Sequence, residues 1–227
     1  MSPREEVMRS EDFELFIEAF GEATSRRPVP AESLAAYRGK LPDALLALWR
    51  EEGWCAYADG LIWTVDPADY EDVLEEWLAG TPFAELDDFH VFARSAFGSL
   101  YLCGGKTGAS VSLLCSIHAI DALKRELKPK SAEQVESSVL SFFGAAEPEH
   151  FDLTDERGAP LFKRALKALG PLTHEEIYGF EPAIVAGGNL RLENLRRVAD
   201  HPHLMILREL SPPAMPFDDP ELDRLMG

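Results

Sequence analysis

Few groups of residues in this chain combine the types and spacing that chemistry needs. Gly105-Lys106-Thr107 invites a phosphate-cradling reading, but that motif requires a glycine five positions before Gly105, where Leu100 stands. The segment also joins two stretches that read as strands, whereas a phosphate loop joins a strand to a helix, so a glycine-rich hairpin turn is expected. His201-x-His203 offers two imidazoles without a third or fourth ligand, and Asp200 and Pro202 read instead as a helix start. His174, beside Glu175 and Glu176, also falls at an expected helix start and reads as exposed. Asp87-Asp88, with Glu85, has the hard oxygens a cation takes, but not the spacing of an EF-hand. No serine sits in a G-x-S-x-G elbow, and Cys55, Cys103 and Cys115 lie in apolar surroundings or beside Trp54, with no activating partner. Glu71-Asp72 and Glu75-Glu76 have too many acidic neighbours to single out an acid–base pair. No catalytic residue, metal-ligand set or cofactor site is expected, and the chain does not read as an enzyme.

The abundance of acids is itself the strongest signal. From Glu51 to His90, forty residues carry twelve Asp and Glu and no Lys or Arg. Aromatic rings interleave with them: Trp54, Tyr57, Trp63, Tyr70 and Trp77. The whole chain of 227 residues has 22 Lys and Arg against 40 Asp and Glu, a formal charge of −18. Nucleic-acid binding needs clustered cations, so direct contact with nucleic acid is not expected, nor is an anionic membrane surface. A basic protein is the natural charged partner. Solubility alone is the plainer account of the same acidity.

The charged N-terminus MSPREEVMRSEDFELF lacks the apolar core of an export signal, and no apolar run approaches a membrane span. Three cysteines without metal-ligand spacing fit reduced, half-buried thiols in a cytoplasmic protein. Cys103 and Cys115 could face each other across a hairpin, which a reducing compartment would leave unbridged. An apolar fraction of 46% and a charged fraction of 27% are ordinary for a globular chain, long enough for one large domain or two small ones.

Periodicity places the elements. Ser10 caps a helix with Phe13, Phe16, Ile17 and Phe20 on one stripe, stopped by Gly21. The sequence RRPVPAE reads as a loop, and a short helix covers 31–37. Pro42 starts a helix with Leu45, Leu46 and Trp49 on one face, ended by Gly53. Residues 61–65 read as a strand. Asp66 and Pro67 then open a helix whose buried stripe is Tyr70, Val73, Leu74 and Trp77. Residues 90–94, 99–103 and 110–115 read as an antiparallel meander. Ser131 and Gln134 form a capping box for a helix lined by Val135, Val139, Phe142 and Phe143. After an exposed loop at 148–158, helices are expected at 160–169, 173–177, 192–198 and 203–210, followed by a loose tail from 212. The fold class is α+β: an antiparallel sheet with packed helices in residues 1–150, and a mainly helical part in 151–227.

Three stretches together resemble known domains. Leu41-Pro42, Leu45-Leu46, Trp49, Gly53, Tyr57, Asp59-Gly60 and Asp66-Pro67…Tyr70, continued by Ala96-Phe97-Gly98-x-Leu100-Tyr101-Leu102, resemble a GAD-like domain. Ile177-Tyr178-Gly179-Phe180-Glu181-Pro182-Ala183 with Gly187-Gly188, and Asn194-Leu195…Val198 with His203-Leu204…Ile206-Leu207, resemble the C-terminal domain of type VI secretion immunity proteins. The resemblance spans about residues 10–210, and the order of the elements makes it specific. It implies a cytoplasmic antitoxin that binds a cognate effector toxin, often a DNase, and it transfers no catalytic residue.

A nuclease cleft is basic because it binds a polyanion, and clustered carboxylates can fill it. The expected partner-binding residues are Glu51, Glu52, Trp54, Tyr57, Asp59, Asp69, Glu71, Asp72, Glu75 and Glu76, with aromatic rings as apolar anchors. The competing account makes Glu71, Asp72, Glu75 and Glu76 the solvated face opposite a buried stripe, with Trp49, Trp63 and Trp77 in the core. Two further alternatives are a metal-dependent or small-molecule enzyme using Asp87-Asp88 or His201-x-His203, and a scaffold with a different protein partner.

Overall fold

A computed structural model describes residues 9–216. The charged start at 1–8 and the tail at 217–227 lie outside the described residues. The class is α+β as the patterning predicts. Seven antiparallel strands lie in sequence order: β1 (Thr24–Arg27), β2 (Trp54–Tyr57), β3 (Ile62–Thr64), β4 (Phe89–Ser95), β5 (Ser99–Gly104), β6 (Gly108–Leu114) and β7 (Ala119–Ala122). The predicted meander forms its centre. β1, β2 and β7 are additions: β1 takes Arg26 and Arg27 out of the expected loop, and β2 extends the apolar run after Gly53. Every residue of β4 is buried, because helices cover both faces of the sheet there. In β6 burial alternates, with Val111 and Leu113 inside and Ser110 and Ser112 half-exposed.

Gly104 and Gly108 pair across the β5–β6 turn, so Gly105-Lys106-Thr107 is the hairpin the sequence predicts. The Asp87 carboxylate holds it, accepting from Lys106 N at 2.9 Å, Thr107 N at 2.7 Å and Thr107 Oγ1 at 2.8 Å. The register pairs Cys103 with Ala109 and Ser99 with Leu114, which puts Cys103 and Cys115 at opposite ends of this hairpin rather than face to face. All three thiols are free and fully buried, not half-buried. Burial pushes Cys55 up to about 11 and Cys103 up to about 12.

On one side of the sheet, α1 (Glu11–Phe20) and α6 (Ala132–Gly144) join their apolar stripes. Phe143 meets Phe13 at 5.6 Å and Phe16 at 5.2 Å, and Phe142 meets Phe92 of β4 at 4.8 Å, all edge-on. The Ser131–Gln134 capping box forms as expected. Between them, α2 (Ala31–Tyr37) leads into α3 (Asp43–Glu52). Glu136 of α6 caps α3, accepting from Asp43 N at 2.6 Å and Ala44 N at 2.9 Å, where the helix dipole favours a carboxylate.

The other side carries α4 (Glu71–Leu78), the single turn α5 (Phe83–Leu86) and α8 (Asp200–Leu210), while α7 (Phe162–Leu169) lies against the C-terminal ribbon. Two predicted helices are instead the strands of that ribbon, β8 (Glu176–Phe180) and β9 (Leu195–Ala199), paired from Glu176–Ala199 to Phe180–Leu195. Tyr178 N donates to Ala96 O at 2.8 Å, tying the ribbon to the turn after β4. The described start of the tail is also anchored, since Ile120 N donates to Ala214 O and Ala214 N to His118 O. Among the described residues no helix is long and apolar enough to cross a membrane.

Candidate partner-binding surface

Asp66 begins the acidic helix as predicted. Its side chain accepts from Ala68 N at 3.1 Å, and Pro67 opens a 3-10 turn (Pro67–Tyr70) that runs into α4. A 3.6-residue period then separates the faces: Val73, Leu74, Trp77 and Leu78 are buried, while Glu71, Asp72, Glu75 and Glu76 are exposed. Acids in the first turn suit the helix dipole, but Glu75 and Glu76 stand near the end that disfavours them. Arg208 of α8 relieves this end, donating from Nε to Glu76 O and from an Nη to Ala79 O, both at 3.0 Å.

α8 holds the rest of α4 too. The Tyr70 hydroxyl donates to Asp200 Oδ2 at 2.6 Å, and Trp77 Nε1 donates to Leu204 O at 3.0 Å. Asp72 pairs with His201 at 2.8 Å. Arg94, fully buried in β4, stacks over Trp63 at 4.8 Å and donates to the carbonyls of Thr173 at 3.2 Å and His174 at 3.0 Å. Asp200 is 3.7 Å from its Nε, so the buried carboxylate has a cation beside it.

The predicted interface residues do not form one patch. Glu52, Trp54 and Tyr57 are interior side chains that offer no surface to a partner. Glu52 accepts ion pairs from Arg9 and Arg26, both at 2.8 Å, and Arg27 lies over the Trp54 ring at 4.9 Å. Asp69 is exposed but paired with Arg27 at 2.8 Å. Glu51 lines a groove among α1, α3 and α6, and Asp59 a separate one between the β2–β3 turn and α7. Trp49, Trp63 and Trp77 are core, as the competing account expects.

Glu71, Glu75 and Glu76 remain together on α4, and among the described residues they form no ion pair. Glu71 and Glu75 face a groove of about 380 Å³ between α4 and the start of β4, walled by Pro67, Leu74, Leu78 and Phe89 and bordered by Asp88, His90 and Lys40. The basic residues that pair with Glu52, Asp69 and Asp72 come from far along the chain. Their only sequence signal was the absence of cations within the stretch itself.

The remaining chemistry-bearing residues have structural partners. Asp87 is occupied by the hairpin. His174 is half-buried, not exposed as expected, because its ring meets Trp63 edge-on at 4.9 Å. Burial lowers the pKa of both His174 and His203. Among the described residues no three or more His, Cys, Asp or Glu are grouped to hold a metal.

Residues 11–117 match the model of the GAD-like domain, and residues 136–211 match that of the T6SS immunity protein Tdi1, C-terminal. The chain is a GAD-like domain joined to a type VI immunity-protein C-terminal domain. The immunity-protein domain supports a role as a type VI immunity protein. The crystal structure of Atu4351 from Agrobacterium tumefaciens has the same fold, with a TM-score of 0.79 at 23% identity over 89% of this chain and 91% of that one. No curated protein matches the sequence. The acidic helix α4 lies in the GAD-like domain and α8 in the immunity-protein domain, so the two domains together fix the exposed carboxylates.

Proposed function

We propose that the chain neutralises a cognate type VI effector, a nuclease with a basic cleft, by stoichiometric occlusion in the cytoplasm, without catalysis and without a cofactor. The observation that carries this reading is the α4 face, where Glu71, Glu75 and Glu76 stand exposed and, among the described residues, without an ion pair on a helix fastened at both ends by α8. A cleft evolved for phosphates meets there a rigid row of carboxylates, which speeds encounter and leaves no room for DNA. The immunity-protein domain supports the toxin-binding half of the proposal, and the charge of −18 supports a basic protein rather than nucleic acid as the direct partner.

The test is co-purification with the product of the adjacent gene, followed by a DNA-cleavage assay with and without this protein. A one-to-one complex that silences cleavage is expected. No complex, with cleavage unaffected, refutes the proposal.

A further inference from the structure

His90 lines the groove beside α4, and the fold leaves one of its buried ring nitrogens unused. His90, at the start of β4, is 8% exposed, and among the described residues its Nε2 has no hydrogen-bond partner. Asp88 Oδ2 lies 3.8 Å from it on the groove rim, too far for a hydrogen bond but placed so that one donor group can reach both. Tyr37 closes the other side of the imidazole, edge-on at 5.4 Å. Burial lowers the pKa of this histidine, helped by the Lys40 charge on the groove border and opposed by Asp88, Glu71 and Asp87, and the neutral imidazole has one ring nitrogen free to accept.

We propose that this groove seats an arginine side chain presented by a protein partner, with its guanidinium between Glu71, Glu75 and Asp88 and one N–H donated to His90. Leu74, Leu78 and Pro67 supply an apolar wall for the aliphatic stem. Arginine suits the site better than lysine because its planar fork carries five donors and sheds water more easily. The identity of the partner rests on the nuclease-inhibitor reading, since arginines that contact phosphate are what such a cleft would present. The groove itself can be tested without the effector.

The probe is N-acetyl-arginine amide, titrated into the full chain at constant ionic strength while the His90 ring nitrogens are followed by NMR. N-acetyl-norleucine amide serves as the uncharged control. A saturable His90 shift is expected with the arginine probe alone. The double variant Glu71→Gln, Glu75→Gln should weaken it by about tenfold or more, and Glu76→Gln, outside the groove, should leave it within about twofold. Circular dichroism shows that the variants remain folded. No saturable shift, an equal shift with the norleucine amide, or an equal loss in Glu76→Gln overturns the proposal. That result would leave toxin inhibition standing, whereas His90 binding with no effect on the effector would fail the inhibitor reading alone.

Discussion

The Tyr70 hydroxyl donates to Asp200 Oδ2 at 2.6 Å, which joins the turn before α4 to the first residue of α8 across 130 positions of sequence. Both groups are buried, and Arg94 stands beside the carboxylate. The acidic face therefore depends on a polar bolt that lies beneath it.

Removing that hydroxyl should loosen the bolt. Tyr70→Phe leaves the Asp200 carboxylate with one charged neighbour and one fewer donor, at a cost of about 1–3 kcal/mol. Urea denaturation should show a lower midpoint with an unchanged slope. An unshifted midpoint would mean that the domain junction does not rely on this contact.

Carboxylates on the α4 face should act on association and not on stability. Glu71→Gln, Glu75→Gln and Glu76→Gln combined should slow binding to the effector about tenfold or more at low salt, with the difference shrinking as salt rises. Stopped-flow association across a salt series measures this. Equal rates for variant and wild type would move the interface elsewhere.

Adjacent glutamates should behave oppositely. Glu52 is buried under Arg9 and Arg26, so Glu52→Gln leaves two arginines without their shared carboxylate. Because both arginines are partly exposed, the loss is about 1–2 kcal/mol, below that of a fully buried pair. Glu51 is exposed and has no such partner among the described residues, and Glu51→Gln should stay within about 0.5 kcal/mol. Thermal melts of the two variants side by side decide this.

Acid should destabilise the fold through its buried histidines. Burial lowers the pKa of His90, His174 and His203 in the folded state, so the unfolded chain binds protons first. Their contribution is complete above about pH 6.5, the unfolded value, and is lost as pH falls through the lower folded values. Asp66 and Asp152 have the opposite sign, since burial raises their pKa and protonation favours the fold, but that gain begins only near the carboxylate range. Denaturation midpoints should therefore fall as the pH drops below about 6.5. A flat profile there would contradict the burial of these rings.

Local patterning determined much of this protein. The caps at Ser10, Asp66 and Ser131, the central meander and the two-faced helix α4 all follow from side-chain period and turn chemistry. The order of motifs also carried the two-domain resemblance. Tertiary structure decided the rest. Residues 192–198 have helix-like apolar spacing, yet 195–199 became β9 because β8 offers it a pairing edge fifteen residues away in register. Likewise, sequence showed twelve acids without a cation between them, but not which would stay uncompensated. Arg9 reaches Glu52 across 43 positions, and His201 reaches Asp72 across 129. Charge and periodicity are local properties of the chain. Ion pairing and strand pairing depend on which distant segments the fold brings within a few ångströms, and here they left Glu71, Glu75 and Glu76 facing solvent.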